Sequence, residues 1–348
     1  MARRLRFLRT ILLDKLFSIA FSDLFVGESL DSSFYKRTPD SRVTERLPPE
    51  CANEFEELRA ALKNERQQGR FQFRWKGPDR DVPLRVTAYK TSRADPLFVC
   101  RRAAVGIEGA RLTLIEAGFA EAIVKTLIGQ RPRKGLILFM GSMGAGKTTA
   151  RGAFLRDYMT AHGGVCMALD APAEVDLDGE HGSGQIFQQD LETEGELVES
   201  LRDSLRSSAD VISPGEVTRD EVAVAVLALA TSGHLVPTTF HADDLAAGLA
   251  RFNRSVGNRS EAFADALSVA IHLSLEPRNA RAPDASHRGT IAPPGRAAPP
   301  ERRLTVAPLF VTAQNKEQVR SHIRAGSFQQ LSSEIERQKR VLMSGGEP

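Results

Sequence analysis

Cysteine is scarce in this chain. Cys51, Cys100 and Cys166 are the three in 348 residues, far apart and with no Cys-x-x-Cys pair. A zinc ribbon and a disulfide framework are therefore not expected, and a reducing compartment is. An excess of one charge is lacking too: 47 Lys and Arg against 44 Asp and Glu leave +3, which argues neither for nor against a polyanionic partner. No strip of interleaved basic and aromatic residues is present, so direct nucleic-acid binding is not expected. Long apolar runs are missing as well. Val222–Ala230 is uniformly apolar but only nine residues long, short of the roughly 20 that span a bilayer, and reads as a buried helix. Phe7–Phe25 is fairly apolar, but Asp14 and Lys15 interrupt it and no small-x-small site follows, so it does not read as a signal peptide. No internal repeat is visible.

What remains is an ordinary globular composition, 41% hydrophobic and 26% charged, with length for about two domains. Residues 1–105 read as a small α+β module. Leu5, Leu8, Leu12, Leu16 and Ile19 fall at helical spacing and predict an amphipathic first helix, packed on its own domain or touching a membrane surface. Cys51–Gln68 predicts a second helix. Phe71–Trp75 alternates as a half-buried strand, Gly77-Pro78-Asp79 reads as a turn, and Leu84–Tyr89 and Leu97–Cys100 are further strands. Residues 106–348 read differently. Leu112–Ile128 has helical periodicity, Leu136–Met140 is a short buried strand, Thr148–His162 a helix, Val165–Leu169 a second buried strand, Leu197–Ser208 a helix, and Val211-Ile212 the start of a third strand. Alternating strands and helices predict a parallel sheet with helices on both faces. The Pro-rich segment 277–303 is expected to be a mobile loop. Leu304–Val311 predicts a strand, and 316–343 predicts C-terminal helices.

Gly141-Ser142-Met143-Gly144-Ala145-Gly146-Lys147-Thr148 fits G-x-x-x-x-G-K-[ST] without a mismatch, between a predicted strand and a predicted helix. Glycines let the backbone curl until its N–H groups converge on anionic oxygens, and the helix N-terminus adds partial positive charge. Ser142, Gly144, Ala145, Gly146, Lys147, Thr148 and Thr149 are therefore the candidate phosphate contacts for a nucleotide, ATP being the expected one. Lys147 would reach the β- and γ-phosphates and the Thr148 hydroxyl would ligate Mg²⁺. A chance Gly-rich turn is the alternative. Two acidic segments, Asp170-Ala-Pro-Ala-Glu174 and Asp210-Val-Ile-Ser-Pro-Gly-Glu216, follow predicted strands. In a parallel sheet both would end at the edge that carries the phosphate loop.

These motifs, in this order, resemble the type II/type IV secretion ATPases, a family that includes the PilT-like pilus-retraction ATPases and the Dot/conjugation ATPases. Asp170–Glu174 is similar to the family's acidic box, Glu-Asp-Pro-x-Glu. Leu201-Arg202-Asp-Ser-Leu205-Arg206, followed by Asp210 and Gly215-Glu216, resembles its Leu-Arg-x-x-Leu-Arg segment and Walker B strand. Thr231-Ser-Gly-His234 through Thr239-Phe-His241 resembles its histidine box. Weaker likenesses extend to Ser22-Asp23-Leu24, Leu84-Arg85-Val86, Val99-Cys100-Arg101 and Val319–Arg324. The resemblance implies a RecA-like ATPase domain after a PAS-like N-terminal domain. It also implies a homo-hexameric motor, cytoplasmic and peripherally held at the inner membrane by a pilus or secretion platform protein. It makes Glu174 the general base and Glu216 an indirect Mg²⁺ and water ligand. His234 and His241 become phosphate sensors or subunit contacts, and Arg85 and Arg101 the N-domain arginines that reach a nucleotide.

The chain departs from the pattern at several places. Ala171 stands at the Asp of the acidic box and Asp170 at its first Glu. Ser213 and Pro214 occupy apolar positions of the Walker B strand, and Pro214 cannot donate to a ladder. Arg219-Asp220 falls one place late, with Thr218 at the Arg position. The tetracysteine motif of the secretion and pilus-assembly branch is missing, which favours a retraction- or Dot-type member. Two alternatives remain: a nucleotide-binding structural subunit without turnover, and a P-loop small-molecule kinase.

Overall fold

The computed structural model describes residues 15–37, 42–65, 69–76, 81–92, 95–102, 112–129, 132–171, 173–191, 193–277 and 302–348. The expected helix before residue 15, the turn at 77–79, the 105/106 boundary and most of the Pro-rich segment lie outside the described residues. The chain forms two compact units. One comprises Met1–Arg111, Asp170–Asp176 and Gln188–Leu197, and the other Leu112–Leu169, Leu177–Phe187 and Val198–Pro348.

In the first unit a short helix α1 (Lys15–Ser18) precedes strands β1 (Asp23–Val26), β2 (Phe34–Lys36) and β3 (Glu45–Arg46). Helix α2 (Ala52–Glu65) and strands β4 (Gly69–Lys76), β5 (Asp81–Tyr89) and β6 (Leu97–Arg102) follow. The strands form one antiparallel sheet in the order β3-β2-β1-β6-β5-β4. Phe55, Leu58 and Leu62 recur on one face of α2 and are fully buried in a core with Leu24, Val26, Leu84, Val86, Phe98 and Cys100 of the sheet. The Glu54 carboxylate ties α1 to this core by accepting the backbone N–H groups of Lys15 and Leu16. β1 to β3 have two to four residues each, too few for an alternating pattern to show in sequence; pairing with neighbours defines them.

The remaining elements belong to the second unit, apart from Asp170 and the residues of 188–197, and begin with α3 (Glu121–Gly129), β7 (Gly135–Gly141), α4 (Lys147–His162), β8 (Gly164–Asp170), β9 (Gly179–His181) and β10 (Gly184–Asp190). Next come α5 (Glu194–Ser204), β11 (Val211–Pro214), β12 (Glu216–Val217), α6 (Asp220–Thr231) and β13 (Leu235–His241). The chain continues through α7 (Leu245–Ser255), α8 (Ser260–Ala266), β14 (Leu267–Pro277), β15 (Arg302–Phe310), α9 (Lys316–Arg324) and α10 (Ser332–Met343). The sheet order is β15-β14-β7-β13-β11-β8-β10-β9, with β12 paired to β13. Strands β14, β7, β13, β11 and β8 run parallel. Antiparallel pairs close both edges, β14 with β15 and β10 with β9, so the expected parallel sheet is a mixed, mostly parallel one.

Two other expectations are corrected. Helical periodicity over Leu112–Ile128 yields a helix only from Glu121. The Thr113 N–H and hydroxyl both donate to the Glu116 carboxylate, at 2.8 and 2.9 Å, and this holds the preceding segment as a turn. The start of β8 is not fully buried, since Val165 is 37% exposed. Among the described residues no helix is long and apolar enough to cross a membrane.

Candidate active site

β7 is buried along its whole length and delivers Gly141 to the carboxyl edge of the sheet. Gly141 sits in register with His241 of β13 and Leu273 of β14. The loop after it turns through two left-handed residues, Gly144 (φ 76°) and Gly146 (φ 89°), a conformation that costs glycine nothing. Ser142 and Gly144 are exposed and Ala145 is packed beneath them. Helix α4 starts at Lys147 with no side-chain cap, so the first-turn amides that a helix cannot pair internally, such as those of Thr148 and Thr149, are left for a ligand. The buried Lys147 ammonium donates to Gly141 O at 3.0 Å and Ser142 O at 2.9 Å, which holds its charge inside the curl of the loop. These residues fit a triphosphate: converging amides, a helix N-terminus and one buried cation.

Glu216 and His241 meet at the same edge. β12 pairs with β13 at Glu216↔Thr239, and the Thr239 hydroxyl donates to Gly215 O at 2.9 Å. His241 Nε2 lies 3.9 Å from Glu216 Oε1. Glu216, Val217, Thr218, His241, Ala242, Asp243 and Arg251 line a cavity of about 240 Å³. Burial lowers the His241 pKa, and the Lys147 cation lowers it further against the opposing pull of Glu216. The imidazole is therefore neutral near pH 7, able to donate from one nitrogen and accept at the other.

His234 lies elsewhere. It immediately precedes β13, and its carbonyl accepts from Gly135 N at the start of β7. The two histidines are seven positions apart on extended backbone, roughly 23 Å along the strand. Its pKa is lowered by burial, with Asp210 opposing. The structure brings His241 together with Glu216 and the phosphate loop, and it places His234 at the far edge of the sheet.

In the first unit, Arg85 and Arg101 stand directly opposite each other on β5 and β6. Like charges on one rung repel, and each guanidinium has a carboxylate partner. Arg101 Nε is 2.8 Å from the buried Asp23, and Arg85 Nη2 is 2.5 Å from Glu174. Two residues predicted from separate motifs, the candidate base and a candidate arginine, are thus an ion pair.

The family model described as Type II/IV secretion system protein matches residues 56–347. The chain belongs to that family. As a member of the secretion family it is 31% identical over 147 residues to the type IV pilus assembly ATPase PilB of Acinetobacter baylyi, covering 42% of this chain and 24% of that one. It is 27% identical over 249 residues to the type II secretion system protein E of Klebsiella pneumoniae, covering 68% and 47%. The matches thus span less than half of the length of these curated relatives. Among solved structures it resembles the Legionella pneumophila ATPase DotB, with a TM-score of 0.69, 16% identity and coverage of 97% and 90%. It also resembles the pilus retraction motor PilT with bound ADP, with a TM-score of 0.66, 19% identity and coverage of 94% and 88%. These likenesses bear out the expected α/β fold preceded by a small N-terminal domain, the sheet being mixed and mostly parallel and the N-terminal sheet antiparallel.

Sequence reasoning missed three side chains of this family member. Arg251, ten residues after His241, reaches the cavity from α7 and lies 5.3 Å above the Phe240 ring. Arg151, one turn into α4, is buried and donates from Nε to the Ser213 hydroxyl at 2.8 Å. Gln188 bonds within the acidic segment. Nothing local in the sequence marks any of the three.

Proposed function

We propose that this secretion-family chain hydrolyses ATP and works as a homo-hexameric motor for pilus retraction or assembly, or for type IV secretion or conjugation. Residues 1–105 would form the PAS-like module and 106–348 the ATPase module. The observation that carries the reading is the shared sheet edge, where the phosphate loop starts opposite His241 and Glu216 pairs two residues earlier on the same strand. Lys147 and the first-turn amides of α4 would hold the phosphates. Among the described residues no group of three or more His, Cys, Asp or Glu could hold a metal unaided. Mg²⁺ would therefore arrive with the nucleotide, take the Thr148 hydroxyl as its protein ligand and neutralise phosphate charge. Glu174 would take the proton of the attacking water, Glu216 would orient that water, and neutral His241 would register the terminal phosphate by a hydrogen bond.

Arg85 and Arg101 would supply charge to a nucleotide held by a neighbouring subunit. Arg85 cannot do this while it binds Glu174, and Glu174 is a poor base while a guanidinium occupies its oxygens. Parting the pair would free both groups at once. The motor would stand at the cytoplasmic face of an inner membrane, held there by a platform protein.

Ala171 in place of an acidic-box Asp, together with the Arg85–Glu174 pair, supports a second reading: a subunit that binds nucleotide without turnover. Phosphate release separates the two. Glu174→Gln is expected to lower the rate by about 100-fold or more with ATP still bound, and Lys147→Ala to abolish binding. Equal, negligible release from parent and Glu174→Gln would leave the binding subunit as the better account.

A further inference from the structure

The segment that carries Glu174 has few means of holding itself. Between Asp170 and Glu174 stand Ala171, Pro172 and Ala173, which have no side-chain donor or acceptor. Strand β10 supplies what is missing. Gln188 and Asp190 are two residues apart and so share one face of the strand. The Gln188 amide donates twice, to Asp170 Oδ2 at 2.7 Å and to Val175 O at 2.8 Å. Asp190 Oδ1 accepts from Ala173 N at 2.8 Å. Just past the strand, Leu191 N donates to Asp170 O at 2.8 Å. Glu174 is thus bracketed, with the residue before it held by Asp190, the residue after it by Gln188, and the start of the segment by Gln188 and Leu191.

We propose that Gln188 and Asp190 are positioning residues that set the Glu174 carboxylate by clamping the backbone on both sides of it. The proposal rests on the reading of Glu174 as general base. A base must lie within hydrogen-bond reach of the water it activates, and a displacement of about 1 Å can cost on the order of 100-fold in rate. A five-residue segment whose three central residues carry no side-chain donor or acceptor would not hold that tolerance alone. The two clamps also have different chemistry. Gln188 acts as a donor to two acceptors and has no equivalent among shorter side chains, whereas Asp190 acts only as an acceptor.

The test uses steady-state phosphate release by the full chain, with nucleotide affinity measured separately. Gln188→Ala and Asp190→Ala are each expected to lower kcat about 10- to 100-fold with KM for ATP and nucleotide Kd unmoved. Asp190→Asn keeps an acceptor oxygen and should recover most of what Asp190→Ala loses. Gln188→Ala added to Glu174→Gln should slow the enzyme no further, because a residue that acts through Glu174 has nothing left to position. An additive double variant, or parallel losses in affinity and rate, would overturn the proposal. A Glu174→Gln enzyme as fast as the parent would overturn the base assignment, and the clamp with it. A fast Gln188→Ala beside a slow Glu174→Gln would remove the clamp alone. Should Gln188→Ala not fold, the exposed Asp190 pair of variants carries the same decision.

Discussion

Ser213 and Pro214 interrupt what sequence patterns require of a buried central strand, and the structure gives each a reason. The Ser213 hydroxyl accepts from Arg151 Nε at 2.8 Å and donates to Pro237 O at 2.6 Å, and Arg151 Nη2 adds a bond to Ser213 O at 3.2 Å. A buried guanidinium is tolerated only when such acceptors surround it. Gly215 N donates across to β8 at Leu169 O, so Pro214, one residue earlier, turns its nitrogen the other way, toward β13. There the register slips by one residue between Val211↔Leu235 and Glu216↔Thr239. A proline is acceptable where a ladder already skips a bond. Removing the hydroxyl strands the Arg151 donor. Ser213→Ala is expected to cost about 1.5–3 kcal/mol in urea-induced unfolding, and an unchanged midpoint would show the bond to be dispensable.

At the scale of elements, the C-terminal helices close the open edge of the sheet with polar groups. β15 is the edge strand, and Phe310 ends it. The buried Gln338 amide of α10 takes both Phe310 backbone groups, accepting from N at 2.8 Å and donating to O at 2.9 Å. Asn315 Nδ2 donates to the same carbonyl at 2.9 Å and to Glu334 Oε1 at 2.8 Å. Arg337 holds the Glu334 carboxyl at about 2, helped by Asn315 and Gln338 and opposed by burial. A carboxyl depressed in the fold contributes its full stabilisation above the ordinary pKa near 4.5, and loses it as pH falls toward 2. That difference corresponds to roughly 3 kcal/mol. Unfolding midpoints measured at pH 7 and pH 3 should therefore fall further apart for the parent than for Glu334→Gln. Identical pH responses would exclude Glu334 as the source. Helical spacing predicted these helices. That they cap a strand was not legible, since Gln338 and Phe310 lie 28 residues apart.

At the scale of the whole molecule, the proposed motor would bring Arg85 of one subunit to the nucleotide of another. The phosphate loop, Glu216 and His241 belong to one compact unit of the chain, and Arg85, Arg101 and Glu174 to the other. The reading predicts that Arg85→Ala and Lys147→Ala chains, each inactive alone, regain turnover when mixed. In a mixed ring the Lys147→Ala subunit lends its Arg85 to a neighbour whose phosphate loop is intact. No recovery, in rings seen by particle imaging to be six-fold and mixed, would exclude action between subunits.

The phosphate loop was determined by sequence alone, because its function needs only short-range chemistry: left-handed backbone at Gly144 and Gly146, a lysine and a helix start. The periodic helix α2 and the buried strand β7 were legible for the same reason, since each declares its buried face within a few residues, and the uniformly apolar run of α6 marks a buried helix. Tertiary structure decided the rest. It separated His234 from His241, which share one sequence motif but stand at opposite ends of an extended strand. It joined Arg85 to Glu174 across 89 residues, set Arg85 beside Arg101 by antiparallel register, and clamped the acidic segment from β10. Strand order and register govern those encounters, and they follow from pairing between distant segments that no local pattern encodes.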